Sequence, residues 1–130
     1  IANLLNASAS EIIFTAGGTE ADNLIIHNAV NNLGVKRIIT SKIEHHAVLH
    51  TVAFLQDTCD IEVDFVSVLP SGDISFDHLE DLLKQTDEKT LVTLMYINNE
   101  IGNVLPLIKV CAANLFPSEY DSSIVSIFLA

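Results

Sequence analysis

The chain has 130 residues, 49% of them hydrophobic, and sets 6 basic side chains against 17 acidic ones for a net charge of −11. That length and apolar share suit one packed domain rather than a disordered segment, and the charge argues against nucleic acid or an anionic membrane as the main partner. No apolar run approaches the roughly 18–20 residues that span a bilayer, and no signal-peptide pattern opens the chain, so a soluble, cytoplasmic protein is the expectation.

Along the chain, residues 1–7 (IANLLNA) read as the tail of a helix. Residues 11–15 (EIIFT) have strand character and stop at Gly17-Gly18-Thr19. A helix follows, with Leu24, Ile25, Ala29 and Val30 expected on one apolar stripe. Residues 37–40 (RIIT) form the next predicted strand, and Ala47, Val48, Thr51, Val52, Phe54 and Leu55 mark a second helix. Residues 61–68 and 90–97 are further strands, separated by a third helix on Phe76, Leu79, Leu82 and Leu83 that Ser75 or Asp77 could cap. Alternating strands and helices with near-continuous apolar strands predict an α/β layer with a mostly parallel sheet. Ten of the 17 acids lie between Asp57 and Glu88 with Lys84 as the one basic residue among them, which suits a solvated face or, alternatively, a docking surface for a basic partner. Cys59 and Cys111 have no metal-like spacing and read as reduced thiols.

In parallel sheets ligands gather outside the carboxyl ends of the strands. Three predicted strand ends are polar there. Gly17 and Gly18 offer bare backbone, and Thr19 can cap the following helix or give its hydroxyl to an anion on the helix N-terminus. Glu20 and Asp22 suit the helix dipole but must point away from a phosphate. Past the second end, His45 can lie flat on a planar ligand or move protons, while His46 and His50 are spaced for a shared helix face. Past the third, Asn98-Asn99-Glu100 precede Gly102, and their amides either bond local backbone or meet a polar ligand. The turn Leu69-Pro70-Ser71-Gly72-Asp73 looks plain. A phosphate cradle, a flat imidazole and an amide together describe a holder for a phosphorylated heteroaromatic cofactor.

In order and spacing, FTAGGTEADN, ITSKIEHHAV and INNEIGNV resemble the cysteine desulfurases of the class V aminotransferase family, with selenocysteine lyases as similar relatives. The resemblance implies a three-layer α/β/α fold with a mostly parallel sheet, part of the large domain of fold-type I enzymes that use pyridoxal 5′-phosphate. It implies that Gly18 and Thr19 bind the cofactor phosphate, that His45 stacks on its ring and assists proton transfer, and that Asn99 sits beside its ring hydroxyl. Family chemistry takes sulfur from L-cysteine, leaving alanine and a persulfide that a sulfur-acceptor protein receives for iron–sulfur cluster assembly or thiolation, with homodimers as the usual state. The family's Ser-x-His-Lys and its loop cysteine do not occur among residues 1–130, so no lysine or cysteine here is nominated as a catalytic group and the chain alone is expected to be inactive. Residues 1–107 are expected to be the central part of that domain. Residues 108–130 are expected to be a divergent tail, truncated or frame-shifted, in which 124–130 (IVSIFLA) has no native partner, and no metal site is expected anywhere in the chain. A non-catalytic acidic interaction module is the alternative.

Overall fold

The computed structural model describes residues 1–85 and 87–106, together with the backbone of a strand at 124–129. Four strands, β1 (Arg37–Ser41), β2 (Glu62–Val66), β3 (Thr90–Met95) and β4 (Ile124–Leu129), form one sheet in the order β2-β1-β3-β4. Every pairing is parallel. Helices α1 (Gly18–Asn31), α2 (His46–Thr58) and α3 (Phe76–Leu83) connect or precede them.

The strands alternate which layer each side chain enters. Ile38 and Leu91 pack with Ile26 and Ala29 of α1 and Val48, Val52 and Leu55 of α2. Their neighbours Ile39 and Val92 pack instead with Leu79 and Leu82 of α3. Both faces of the central strands are therefore covered, which is why the strands read as unbroken apolar runs. At roughly 1.5–3 kcal/mol for each fully buried aliphatic side chain, these two clusters supply most of the drive to fold.

Arg37 is the charged exception at the start of β1. It is almost wholly buried, and its guanidinium meets Asp64 at 2.6 Å, the Leu82 carbonyl at 2.7 Å and Gln85 Oε1 at 3.3 Å. One side chain thus ties β1, β2 and the end of α3 at the pole of the sheet opposite the strand carboxyl ends.

Several expectations change. Residues 11–15 form no strand: a short 3-10 turn covers Ala9–Glu11, and Ile13 and Phe14 are 70% and 80% exposed. Strand propensity describes a side chain that fits a pleated surface, and here no neighbouring ladder receives it. Residues Ala2–Leu5 make a second 3-10 turn rather than an α-helical tail. On α1 the buried stripe is Asp22, Ile26 and Ala29, with Leu24 and Ile25 exposed. Phe54 is likewise exposed on α2, while Ser75 Oγ, not Asp77, caps α3 through the His78 N–H. Residues 124–129 are not without a partner, because β4 pairs in register with the whole of β3, from Thr90↔Ile124 to Met95↔Leu129.

Candidate functional site

The carboxyl ends of β1 and β3 each run into a polar turn, and the start of α1 lies beside them. Gly17 is the N-cap of α1 and no side chain caps it, so Thr19 sits inside the first helical turn with its hydroxyl free to serve another partner. Neither Gly17 nor Gly18 adopts a left-handed conformation. What they provide is room: a Cβ built on either would meet nothing within 4 Å. The bare backbone and the unpaired N–H groups of the first turn therefore face open space, as an anion cradle requires. Glu20 folds back so that its carboxylate accepts the Ala16 N–H at 2.6 Å, and it borders the cradle. Asp22 points inward and is buried, as an anion site on this helix demands.

His45 is the N-cap of α2, a role more often filled by Ser, Thr, Asp or Asn. Its Nδ1 accepts the Ala47 N–H at 3.1 Å, which assigns the ring proton to Nε2 and leaves that nitrogen for a ligand. A cleft of about 410 Å³ runs between α1 and α2, lined by Thr19, Asn23 and His27 on one side and His46, His50 and Phe54 on the other, with His45 on its wall. Thr51 Oγ1 lies 2.7 Å from both Asn23 Oδ1 and the Ala47 carbonyl, fastening the two helices below it. A second cleft, of about 180 Å³, is bordered by His45, Lys42, Asn99 and Glu100. His45 therefore belongs to both. Thr19 lines the first cleft and Asn99 the second, and Gly18 borders a neighbouring hollow that Thr19 shares. The rings of His46 and His50 stand 5.2 Å apart, yet among the described residues no group of three potential ligands gathers for a metal.

Two residues that hold this geometry, Asn98 and Glu44, lie in the polar strand ends read from the sequence but were not nominated as site residues. Asn98 is 6% exposed. Its Nδ2 donates to the Ile43 carbonyl at 2.7 Å, and its Oδ1 accepts the N–H groups of Glu100 and Ile101 at 2.9 and 3.0 Å. Of the two amides, then, Asn98 bonds local backbone and Asn99 is exposed to the cleft. Glu44 is 7% exposed, and its Oε1 accepts from Ser41 Oγ at 2.8 Å and from the Met95 N–H at 2.9 Å. Burial raises the pKa of the Glu44 carboxyl despite those two bonds, and the neighbouring Asp22 charge pushes the same way. Burial also raises Asp22, an effect that His45 partly opposes. The signal for both residues was a polar side chain between an apolar strand and a helix start, but nothing local says which of several such residues turns inward. The turn at 69–73 is not plain either: Gly72 has φ +89°, and a Cβ there would come within 2.9 Å of Asn103 Nδ2 and Ile101 Cδ1. Asn103 in turn donates to the Ser71 carbonyl and to Asp73.

A family model described as aminotransferase class-V matches residues 1–114. The chain belongs to that family, in its cysteine desulfurase group. The cysteine desulfurase IscS of Clostridium botulinum (strain Hall) is 41% identical over 109 residues, an overlap covering 82% of this chain and 27% of that protein. A solved structure of a NifS-like protein superposes with a TM-score of 0.81 at 32% identity, covering 99% of this chain and 34% of that one. A structure of SspA in complex with cysteine superposes with a TM-score of 0.77 at 33% identity, covering 98% and 35%. The class-V chain thus spans between a quarter and about a third of the proteins it matches, and the family match runs past Leu107. Its α/β sheet is that of the fold-type I enzymes. Among the described residues no helix is long and apolar enough to cross a membrane.

Proposed function

We propose that the protein carrying this chain is a cysteine desulfurase that takes sulfur from L-cysteine with the help of pyridoxal 5′-phosphate, leaving alanine and an enzyme persulfide for a sulfur-acceptor protein. The observation that carries the reading is that His45 lies on the wall of two clefts at the carboxyl end of a parallel sheet, one lined by Thr19 and the other by Asn99. The relatives' names support it, as does the cysteine present in the SspA structure.

The residues fit the cofactor in kind. The backbone at Gly18 and the Thr19 hydroxyl suit a phosphate, because the helix end supplies unpaired N–H groups without a side-chain cap and a Cβ at Gly18 would meet only open space. Asn99 has an amide to offer a ring hydroxyl. When bound, the cofactor serves as an electron sink for charge that develops on the amino acid. The protein's part is orientation and proton handling. His45, with its proton on Nε2, presents a flat imidazole to the cleft and a hydrogen to any acceptor above it. Holding Nδ1 on the helix cap fixes the ring plane, so the imidazole needs no reorganisation when a ligand arrives. The chain's lysines, Lys36, Lys42, Lys84, Lys89 and Lys109, match no cofactor-binding motif, so the 130 residues alone are expected to yield no alanine.

The test is loading of the complete protein with pyridoxal phosphate, followed by assay of alanine from cysteine. His45→Ala is expected to lower turnover by about 10²–10⁴-fold, the range for loss of a positioned acid–base group. Unaltered turnover would remove His45 from the chemistry. Selenocysteine offered in parallel separates a desulfurase from a selenocysteine lyase. The acidic-module reading loses ground because Asp64 is engaged by Arg37 and Glu80 pairs with Lys84, so part of that charge is spoken for within the fold.

A further inference from the structure

The two loops that present His45 and Asn99 hold each other, and each does so through the residue just before the one that faces the cleft. The β1–β3 ladder is in register from Arg37↔Thr90 to Ile39↔Val92. Beyond it, the Met95 N–H is received not by a strand carbonyl but by the Glu44 carboxyl, which also takes the Ser41 hydroxyl. Asn98 returns the hold by donating to the Ile43 carbonyl.

The Ser41 hydroxyl and the Met95 N–H favour charge on Glu44, but burial and the neighbouring Asp22 oppose it. Among the described residues, Glu44 Oε2 is buried with no hydrogen-bond partner, as are Thr40 Oγ1 and Thr93 Oγ1. By the alternation of the strands, both threonines sit on the sheet face that carries Ile38 and Leu91. The charged or titratable groups nearby are Asp22 from α1, Lys42 in the same turn, His45 and His46 at the start of α2, Glu100 on the opposite loop and Asp73, which shares with Glu44 the lining of a cavity of about 340 Å³. Lys42, the one fixed cation among them, lies with its Nζ 5.7 Å from the centre of the Phe65 ring and forms no ion pair with Glu44. An ionised Oε2 would carry charge in the interior with no hydrogen bond from a described residue, which favours the neutral acid.

We propose that Glu44 is a positioning residue for His45 and Asn99, acting as an uncharged hydrogen-bonding wedge between the ends of β1 and β3. The proposal rests on the functional reading above, in which those two residues face the cofactor.

Glu44→Gln and Glu44→Ala in the complete protein test it. Glutamine keeps an acceptor at the Oε1 position and cannot ionise; alanine removes the wedge. In the apo protein, Glu44→Ala is expected to speed hydrogen exchange of the Met95 amide by about tenfold or more and to shift the His45 ring signals. In the loaded enzyme it should lower kcat by about tenfold or more while KM for cysteine stays within about threefold, the mark of lost orientation. Glutamine should restore both measures to near the wild-type value. If glutamine is as damaging as alanine, the charge is what acts and the proposal fails. It also fails if alanine leaves the Met95 exchange and the His45 signals where they were. Should the alanine variant not fold, the glutamine variant decides alone: unchanged Met95 exchange supports the wedge, and accelerated exchange overturns it. A wild-type protein without desulfurase turnover would refute the functional reading while the apo measurements still judge the wedge.

Discussion

Residues 41–45 and 96–105 are fixed by side chains of their own chain, whereas residues 12–19 are fixed by almost none. In the first region Glu44, Asn98 and Asn103 satisfy backbone groups across loop boundaries, and Ser41, Glu44 and Asn98 are buried. In the second, no residue before Asp22 is buried, and Phe14 stands 80% exposed beside an uncapped helix start. The imidazole-and-amide half of the site is thus built in advance. In the proposed reading the anion half is the start of α1, which no side chain among the described residues caps.

Substitutions should separate the two regions, and Arg37 calibrates the scale. Arg37→Ala leaves Asp64 and the Leu82 carbonyl without their buried partner, and urea unfolding should register a loss of about 3–5 kcal/mol. Asn98→Ala strands the Ile43 carbonyl and two loop N–H groups. A loss of about 2–3 kcal/mol is expected, together with broadened His45 resonances; an unchanged melting temperature would erase the distinction between the regions. Gly72→Ala places a Cβ against Asn103 in left-handed backbone and should cost about 1–2 kcal/mol.

In the open half, Thr19→Ala is expected to change stability by less than about 0.5 kcal/mol. It should nonetheless weaken pyridoxal phosphate binding by about tenfold, measured by titration of cofactor absorbance. A large stability loss there would mean the turn is as built as the clasped loops.

The pH dependence is the smallest effect. Glu44 and Asp22 both titrate above their ordinary values of 4.5 and 3.8. The folded state therefore keeps protons that the unfolded chain releases, and this contribution to stability is fully present below those values and falls as pH rises through the raised ones. An Asp22→Asn, Glu44→Gln double variant should flatten that fall in melts run between pH 4 and 8. An unchanged slope would show that the two carboxyls are solvated.

Much of the candidate site could be nominated from the sequence because it depends on residue type next to a structural boundary. Thr19, His45 and Asn99 announce themselves as polar groups at a helix start and past two strand ends, and the alternation of apolar runs gave the layers. The rest was hidden for identifiable reasons. Residues 11–15 carry strand propensity, but a strand is a pairing, and propensity does not report its partner. The stripe of α1 was misjudged because it includes Asp22, a charged residue that an apolar pattern leaves out. Asn98 and Asn99 differ in sequence only by position, and their opposite fates follow from which one reaches Ile43 across 55 residues of chain.

The mutual hold between the 41–45 and 96–105 loops has a consequence for descent. Glu44 needs the Met95 amide where it is, and Asn98 needs the Ile43 carbonyl where it is, so neither loop can drift while the other stays. Insertions in either turn should be rare among relatives that keep the imidazole, and a lineage that loses the acid at position 44 should be found to have changed position 98 as well.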